Sequence, residues 1–292
     1  MIVVQLMGGL GNQLFQYAAG RQVALHHQTE LFLDTRWFKT QTLRRYRLNE
    51  YPIRAKVATK WELLPFAQTL PGSILRGIRQ VIWRGVEESA YRNVTELASG
   101  HDAELLNQPG HVYMQGYFQS ERYFSGIAGE IRETFNPIAE PDAQNCEILD
   151  LIEQTQSVSL HIRRGDYVEN PIIQSIHGFC GVEYYYRAIE LMCEKVASPH
   201  FFIFSDDPDW VESNLDIPFS KLIVRHNGNW QDTEDLRLMS HCKYHIIANS
   251  SFSWWGAWLA KKQHKIIVAP SRWFSDDKLD MKFLLPENWV RL

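Results

Sequence analysis

Through the second half of this chain, short apolar runs alternate with stretches of helical spacing, and that alternation leaves few folds open. Ser157-Val-Ser-Leu-His-Ile-Arg163 has a period of two, with Val158, Leu160 and Ile162 on one face and His161 and Arg163 on the other. That is the pattern of a strand. His200–Ser205, Lys221–Arg225, Tyr244–Ala248 and Lys265–Ala269 read as further strands. Between them Glu183–Val196, Asp232–Cys242 and Phe252–Lys262 have helical spacing, and Asp207-Pro208 fits an N-cap followed by the first residue of a short helix. Strands alternating with helices predict a parallel α/β domain.

The beginning of the chain repeats the theme. Ile2–Leu6 is an apolar strand, and Gly8-Gly-Leu-Gly-Asn-Gln13 is a tight turn that uses Gly9 and Gly11. Asn12–His26 is helical and Glu30–Asp34 is a second strand, an opening that signals a doubly wound α/β domain. His111–Gln115 is another strand. Asn136-Pro-Ile-Ala-Glu-Pro-Asp142 reads as a linker, with Asp142 capping a helix that runs to about Gln154. The expected division is an N-terminal domain over 1–140 and a C-terminal domain over 141–292.

Composition excludes several classes. A net charge of -4 gives no global attraction to nucleic acid or to an anionic membrane. Cys146, Cys180, Cys193 and Cys242 form no CxxC pair and suit reduced thiols in the cytoplasm. His177 and Cys180 lack a second pair of metal ligands nearby, so a loop histidine and a buried thiol are expected, with no metal. The N-terminus lacks the basic segment of a signal peptide, and no apolar run is long enough to span a bilayer. One local exception is the basic run of Arg36, Lys39, Arg44, Arg45, Arg47, Arg54, Lys56 and Lys60 against the single acid Glu50. It reads as a solvated face, or else as a patch for an anionic partner such as the inner membrane surface.

Three polar clusters follow buried strands: His161–Asp166, Ser205-Asp206-Asp207 and Asn249–Trp255. Ligands of open parallel sheets bind outside the carboxyl ends of the strands, so three such clusters imply one crevice. A fixed Arg163 suits bidentate phosphate binding. Gly165 allows a sharp turn there, and Asp166 pins that turn or a neighbouring guanidinium. Asn249, Ser250, Ser251 and Phe252 lead into a helix whose first N–H groups and dipole favour a phosphate, the geometry that serine capping also uses. A carboxylate at Asp206 or Asp207 can accept the ring N–H and amine of a guanine, and Asp207 can equally cap a helix. Trp254, Trp255 and Trp258 have the spacing of core residues. Together the clusters spell a nucleotide diphosphate.

Gly8-Gly-Leu-Gly-Asn-Gln13, His161-Ile-Arg-Arg-Gly-Asp166, Phe204-Ser-Asp-Asp207 and Asn249-Ser-Ser-Phe-Ser-Trp-Trp-Gly-Ala-Trp258 resemble the motifs of the galactoside α-1,2-fucosyltransferases, in the same order along the whole chain. The resemblance implies a GT-B fold of two Rossmann-like domains facing across a cleft. It implies an inverting, metal-independent enzyme that moves L-fucose from GDP-fucose to the 2-hydroxyl of a terminal β-galactoside; a lipid-linked glycan is the acceptor that the basic run would suit at a membrane. Carried over by position, Arg163 would hold the β-phosphate as the catalytic cation, and His161 and Asp207 would read the guanine. Ser250 and Ser251 would hold the pyrophosphate, and Asn12 would reach the donor from the other domain.

Three rivals make other demands. A dinucleotide fingerprint at Gly9-Leu-Gly11, with Asp34 ending the next strand, has Leu14 where a third glycine belongs. Asp207-Pro-Asp209 matches the metal-binding DxD of other glycosyltransferases, but Pro208 starts a helix between the carboxylates. Arg164-Gly-Asp166 is an adhesion tripeptide that needs none of the other clusters. No side chain is singled out as the base for an acceptor hydroxyl: Asn12 cannot serve, and Asp34 reads as structural.

Overall fold

A computed structural model describes residues 1–66, 77, 91–96, 102–108, 110–165, 178–228, 230–262, 265–275 and 282–292. Asp166 and His177 lie outside the described residues. The chain forms two compact units, Met1–Thr134 with Lys282–Leu284, and Phe135–Met281 with Leu285–Leu292.

The first unit holds a five-stranded parallel sheet in the order β3-β2-β1-β5-β4, with β1 Ile2–Gln5, β2 Leu31–Asp34, β3 Lys56–Val57, β4 Tyr91–Thr95 and β5 His111–Gln115. Helix α1 spans Leu10–His26 and buries Leu14, Phe15, Ala18, Ala19 and Val23, the helix-spaced apolar residues of the sequence. Its start is earlier than the expected Asn12, because the turn is completed by Gly8 alone. Gly8 has a φ of 80°, a left-handed conformation that side chains disfavour. Gly9 has ordinary extended dihedrals at the N-cap, and Gly11 already lies inside the helix. Neither is therefore the turn residue that the sequence suggested. Among the described residues two short helices follow, α2 over Lys60–Leu63, closed by a Thr59–Glu62 capping box, and α3 over Ala128–Thr134.

The second unit holds a six-stranded parallel sheet in the order β11-β10-β9-β6-β7-β8. Its strands are β6 Gln156–Ile162, β7 Pro199–Ser205, β8 Lys221–Ile223, β9 Tyr244–Ile246, β10 Ile267–Ala269 and β11 Val290–Arg291. Among the described residues its helices are α4 Ala143–Gln154, α5 Val182–Lys195, α6 Pro208–Asn214, α7 Asp232–His241 and α8 Ser251–Leu259. Asp142 caps α4 by accepting from Asn145 N, as its sequence position requires.

The period of two in β6 has the expected outcome. Val158, Leu160 and Ile162 pack with Phe201 and Ile203 of β7 against Tyr185, Ile189 and Met192 of α5. Phe202 and Phe204 face the other way, onto Ile148 and Ile152 of α4 and Leu238 and Met239 of α7. Each such side chain contributes on the order of 1.5–3 kcal/mol when fully buried. Both faces are covered, so all of β6 beyond Gln156 is buried, polar residues included. Among the described residues no helix is long and apolar enough to cross a membrane.

Candidate active site

In the second unit, β6 lies between β7 and β9, so the segments leaving these strands start from adjacent carboxyl ends. His161 is the penultimate residue of β6. It is 6% exposed, its ring centroid lies 5.6 Å from that of Phe252, and its Nδ1 has no hydrogen-bond partner. Burial first, and the positive charge of Arg163 second, push its pKa down to about 3. His161 is thus a neutral imidazole with one unsatisfied buried nitrogen. Such an atom is costly unless something supplies a partner.

Arg163 donates through Nη1 to Asp206 Oδ2 at 2.9 Å. The other oxygen of Asp206 accepts from Arg164 N at 2.9 Å, so one carboxylate ties the end of β6 to the end of β7. Gly165 owes its place to this carboxylate. A Cβ there would sit 2.5 Å from Asp206 Oδ2, whereas its φ is not in the left-handed region. Close approach, rather than the sharp turn expected from sequence, requires the glycine.

Arg164 goes a different way from Arg163. Its guanidinium lies 3.8 Å from the centre of the Trp210 ring and donates to Asp207 Oδ2 at 3.3 Å. Asp207 Oδ1 accepts from Trp210 N at 3.1 Å, so Asp207 caps α6. Asp209 pairs with Arg225 at 2.6 Å. The two carboxylates of the DxD pattern thus serve different arginines and do not converge. An arginine stacked on a tryptophan also suits no adhesion tripeptide.

After β9 the chain reaches Asn249, which is buried and donates to Trp273 O at 3.1 Å and, more weakly, to Gly178 O. Asn249 therefore ties the end of β9 to the loops that carry Trp273 and Gly178. Ser250 occupies the N-cap of α8 without making a side-chain cap, and Ser251 opens the helix. Ser253 turns inward and donates to Ala248 O and Ser250 O. Trp254, Trp255 and Trp258 are core, as their spacing indicated, with Trp254 contacting Trp255, Trp258 and Trp289. Lys265 Nζ donates to Ala257 O and Ala260 O and closes the other end of α8.

In the first unit Asn12 Oδ1 accepts from Gln119 Nε2 at 2.8 Å. Two buried glutamines that the sequence reading passed over organise this end of the sheet. Gln13 Oε1 accepts from Arg47 N and its Nε2 donates to Arg45 O, which fastens the basic segment to α1. Gln16 joins the loops after β1 and β5, accepting from Met7 N and donating to Gly116 O, both at 3.0 Å. Polar residues on the buried face of a helix were the available signal. Asp34 is buried and clamped by Arg36 through Nε and Nη2, with Tyr113 Oη donating at 2.7 Å. Burial alone would raise its pKa, but the hydrogen bonds from Arg36 and Tyr113 leave it below the usual carboxylate value. Asp34 is structural. Lys56 pairs with Glu30 and Arg47 with Glu50, so the run from Arg36 to Lys60 is less cationic than its composition suggests.

Glycosyl transferase family 11 matches residues 1–292. The chain belongs to that family. It is a glycosyltransferase. An α-1,2-colitosyltransferase of Escherichia coli is 39% identical over 100% of this chain and 99% of its own length. The O-antigen biosynthesis glycosyltransferase WbnK of Escherichia coli is 32% identical over 98% of this chain and 99% of its own. Among solved structures, a mutant of Arabidopsis thaliana FUT1 in complex with GDP matches with a TM-score of 0.50 at 11% identity, covering 91% of this chain and 69% of that one. At that identity the likeness is one of fold, and the fold is GT-B with two Rossmann-like units.

Proposed function

We propose that the protein transfers L-fucose from GDP-β-L-fucose to the 2-hydroxyl of a terminal β-galactoside, with inversion, forming an α-1,2 linkage. The observation that carries this reading is the meeting of Arg163, Asp206, His161 and the start of α8 at adjacent strand ends of one sheet. Cleavage of the sugar–phosphate bond leaves negative charge on GDP. A guanidinium held by Asp206, the serine hydroxyls and the first N–H groups of α8 stabilise that charge where it develops. The unsatisfied nitrogen of His161 suits a purine edge. In this reading the second unit takes the donor and the first takes the acceptor. Reduced thiols at all four cysteines suit a cytoplasmic enzyme.

The test is an NMR linkage assignment of the product from GDP-fucose and a lactose-type acceptor, with and without excess EDTA. The expected product is α-1,2-linked and the rate survives chelation. A 1,3 or 1,6 linkage would sink the regiochemistry, and loss of activity restored by Mn²⁺ would sink the metal-free charge stabilisation. The 39% identity to a colitosyltransferase favours a second donor, the GDP derivative of colitose, which is 3-deoxy-L-fucose. Comparing kcat/KM for the two donors separates them, since a site that hydrogen-bonds the 3-hydroxyl discriminates by about 10⁴–10⁵.

The contact between Gly165 and Asp206 gives a local check. Gly165→Ala pushes the Asp206 carboxylate away from Arg163. A misplacement of about 1 Å costs on the order of 10²-fold in rate. That loss is expected in kcat, with the melting temperature changed little. An unimpaired enzyme would show that the Arg163–Asp206 geometry does not matter to turnover.

A further inference from the structure

The proposed transfer leaves one proton without an acceptor. As the new C1–O bond forms on the acceptor's 2-oxygen, the bond from C1 to the phosphate oxygen breaks and its electron pair leaves with GDP. The hydroxyl proton must then go to a base. Asp34 cannot take it, because Arg36 and Tyr113 hold it as a stable anion.

Glu96 differs from Asp34 in every respect that matters. It follows β4 at the carboxyl edge of the first unit's sheet, and its own N donates to Gln115 O at 2.8 Å. Its Oε2 accepts from Tyr117 N at 2.6 Å, and Phe118 N also points to this carboxylate. The backbone is bent to achieve this. Phe118 is in the left-handed region with a φ of 52°, an uncommon conformation for a bulky residue, and its ring is buried. Gly116 must be glycine, since a Cβ there would lie 2.3 Å from Glu96 Cβ and 2.7 Å from Oε2. The side chain is therefore gripped in one position. Gly116 O accepts from Gln16, which also holds Met7 N, so the seat of Glu96 is fastened to the loop that leads into Asn12.

We infer that Glu96 is the general base of the transfer, taking the proton of the acceptor's 2-hydroxyl and later releasing it to water. This rests on the transfer reading given above. Burial raises the pKa of Glu96 from its ordinary value of 4.5, and the N–H groups of Phe118 and Tyr117 offset this only in part. The titratable groups facing it are Tyr117 and Tyr123, both shifted upward chiefly by burial, with Asp102 beyond Tyr123. No cation enters its surroundings among the described residues to hold it as an inert anion. A carboxylate positioned by backbone donors, with its affinity for protons raised, is what base catalysis near neutrality needs.

The experiment compares wild type, Glu96→Gln and Glu96→Ala, with GDP-fucose and a lactose-type acceptor. General-base catalysis is worth about 10²–10⁴-fold, so kcat is expected to fall by that factor in both variants, with GDP affinity changed less than twofold. In wild type kcat/KM should rise with pH through a pKa above 4.5. That acidic limb should vanish in Glu96→Gln, and formate should restore part of the rate in Glu96→Ala. Variants within about threefold of wild type, or a slowed Glu96→Gln enzyme that keeps the acidic limb, would overturn the assignment. A wild-type enzyme that transfers fucose to no β-galactoside would remove the transfer reading itself, and this inference with it.

Discussion

Arg163→Lys is expected to lower kcat by about 10²–10³-fold, roughly 3–4 kcal/mol, by analogy with the removal of one oxyanion donor. Lysine keeps the charge and loses the planar fork, so the deficit isolates geometry. The attraction grows as the leaving phosphate gains charge, and the loss should appear in kcat more than in GDP affinity. The partner arrangement sharpens the prediction. Asp206 Oδ2 fixes Arg163 through Nη1, and a lysine ammonium satisfying the same carboxylate cannot also reach a second oxygen along a parallel bond. Arg164→Lys is the control. Its guanidinium stacks on Trp210 and pairs with Asp207, and losing that costs about 1 kcal/mol of stability with little change in turnover. Equal kinetic losses at the two positions would contradict this division of labour.

Trp254→Ala should destabilise the second unit by about 3–5 kcal/mol, measured as a lower denaturant midpoint for that transition. Trp254 is fully buried, and its ring centroid lies 5.0 Å from that of Trp255, 5.9 Å from Trp258 and 5.5 Å from Trp289. Removal leaves a cavity whose walls are rigid rings, which cannot collapse to fill it. Trp289 lies just before β11, so the substitution also loosens the edge of the sheet. A change below about 1 kcal/mol would mean that the neighbouring rings can repack.

The strands of the second unit are legible in sequence because a parallel strand covered on both faces must be apolar over most of its length. The strands that escape notice lack that constraint. β4 is an edge strand whose Arg92, Asn93 and Thr95 are exposed, and β3 and β11 are two residues each. The same difference decides which site residues can be read. Arg163, Asp206 and Asp207 stand out as polar residues at the ends of apolar runs. Which carboxylate meets which arginine depends on how β6 and β7 are aligned, and their sequences do not encode that separately. Asn249 illustrates the limit, since its bonds to Trp273 O and Gly178 O join loops far apart in sequence. Glu96 gives no local signal at all. Its character comes from a loop that curls around it from β5, visible only once β4 and β5 are paired.

The short segment Lys282–Leu284 belongs to the first unit, although everything from Phe135 up to it belongs to the second. Ser120 Oγ donates to Phe283 O at 2.7 Å, and the Arg122 guanidinium lies 4.2 Å from the Phe283 ring centre. On the ribosome, where roughly 5–20 residues are added each second and domains form as they emerge, this ordering has a consequence. The N-terminal sheet can assemble early, but the loop that carries Ser120 and Arg122 lacks its partner until the second unit has been synthesised as far as Met281. Of the two units, the one that emerges earlier is thus completed only after most of the other has been made. A nascent chain stalled anywhere between the two stretches would expose that loop to proteases.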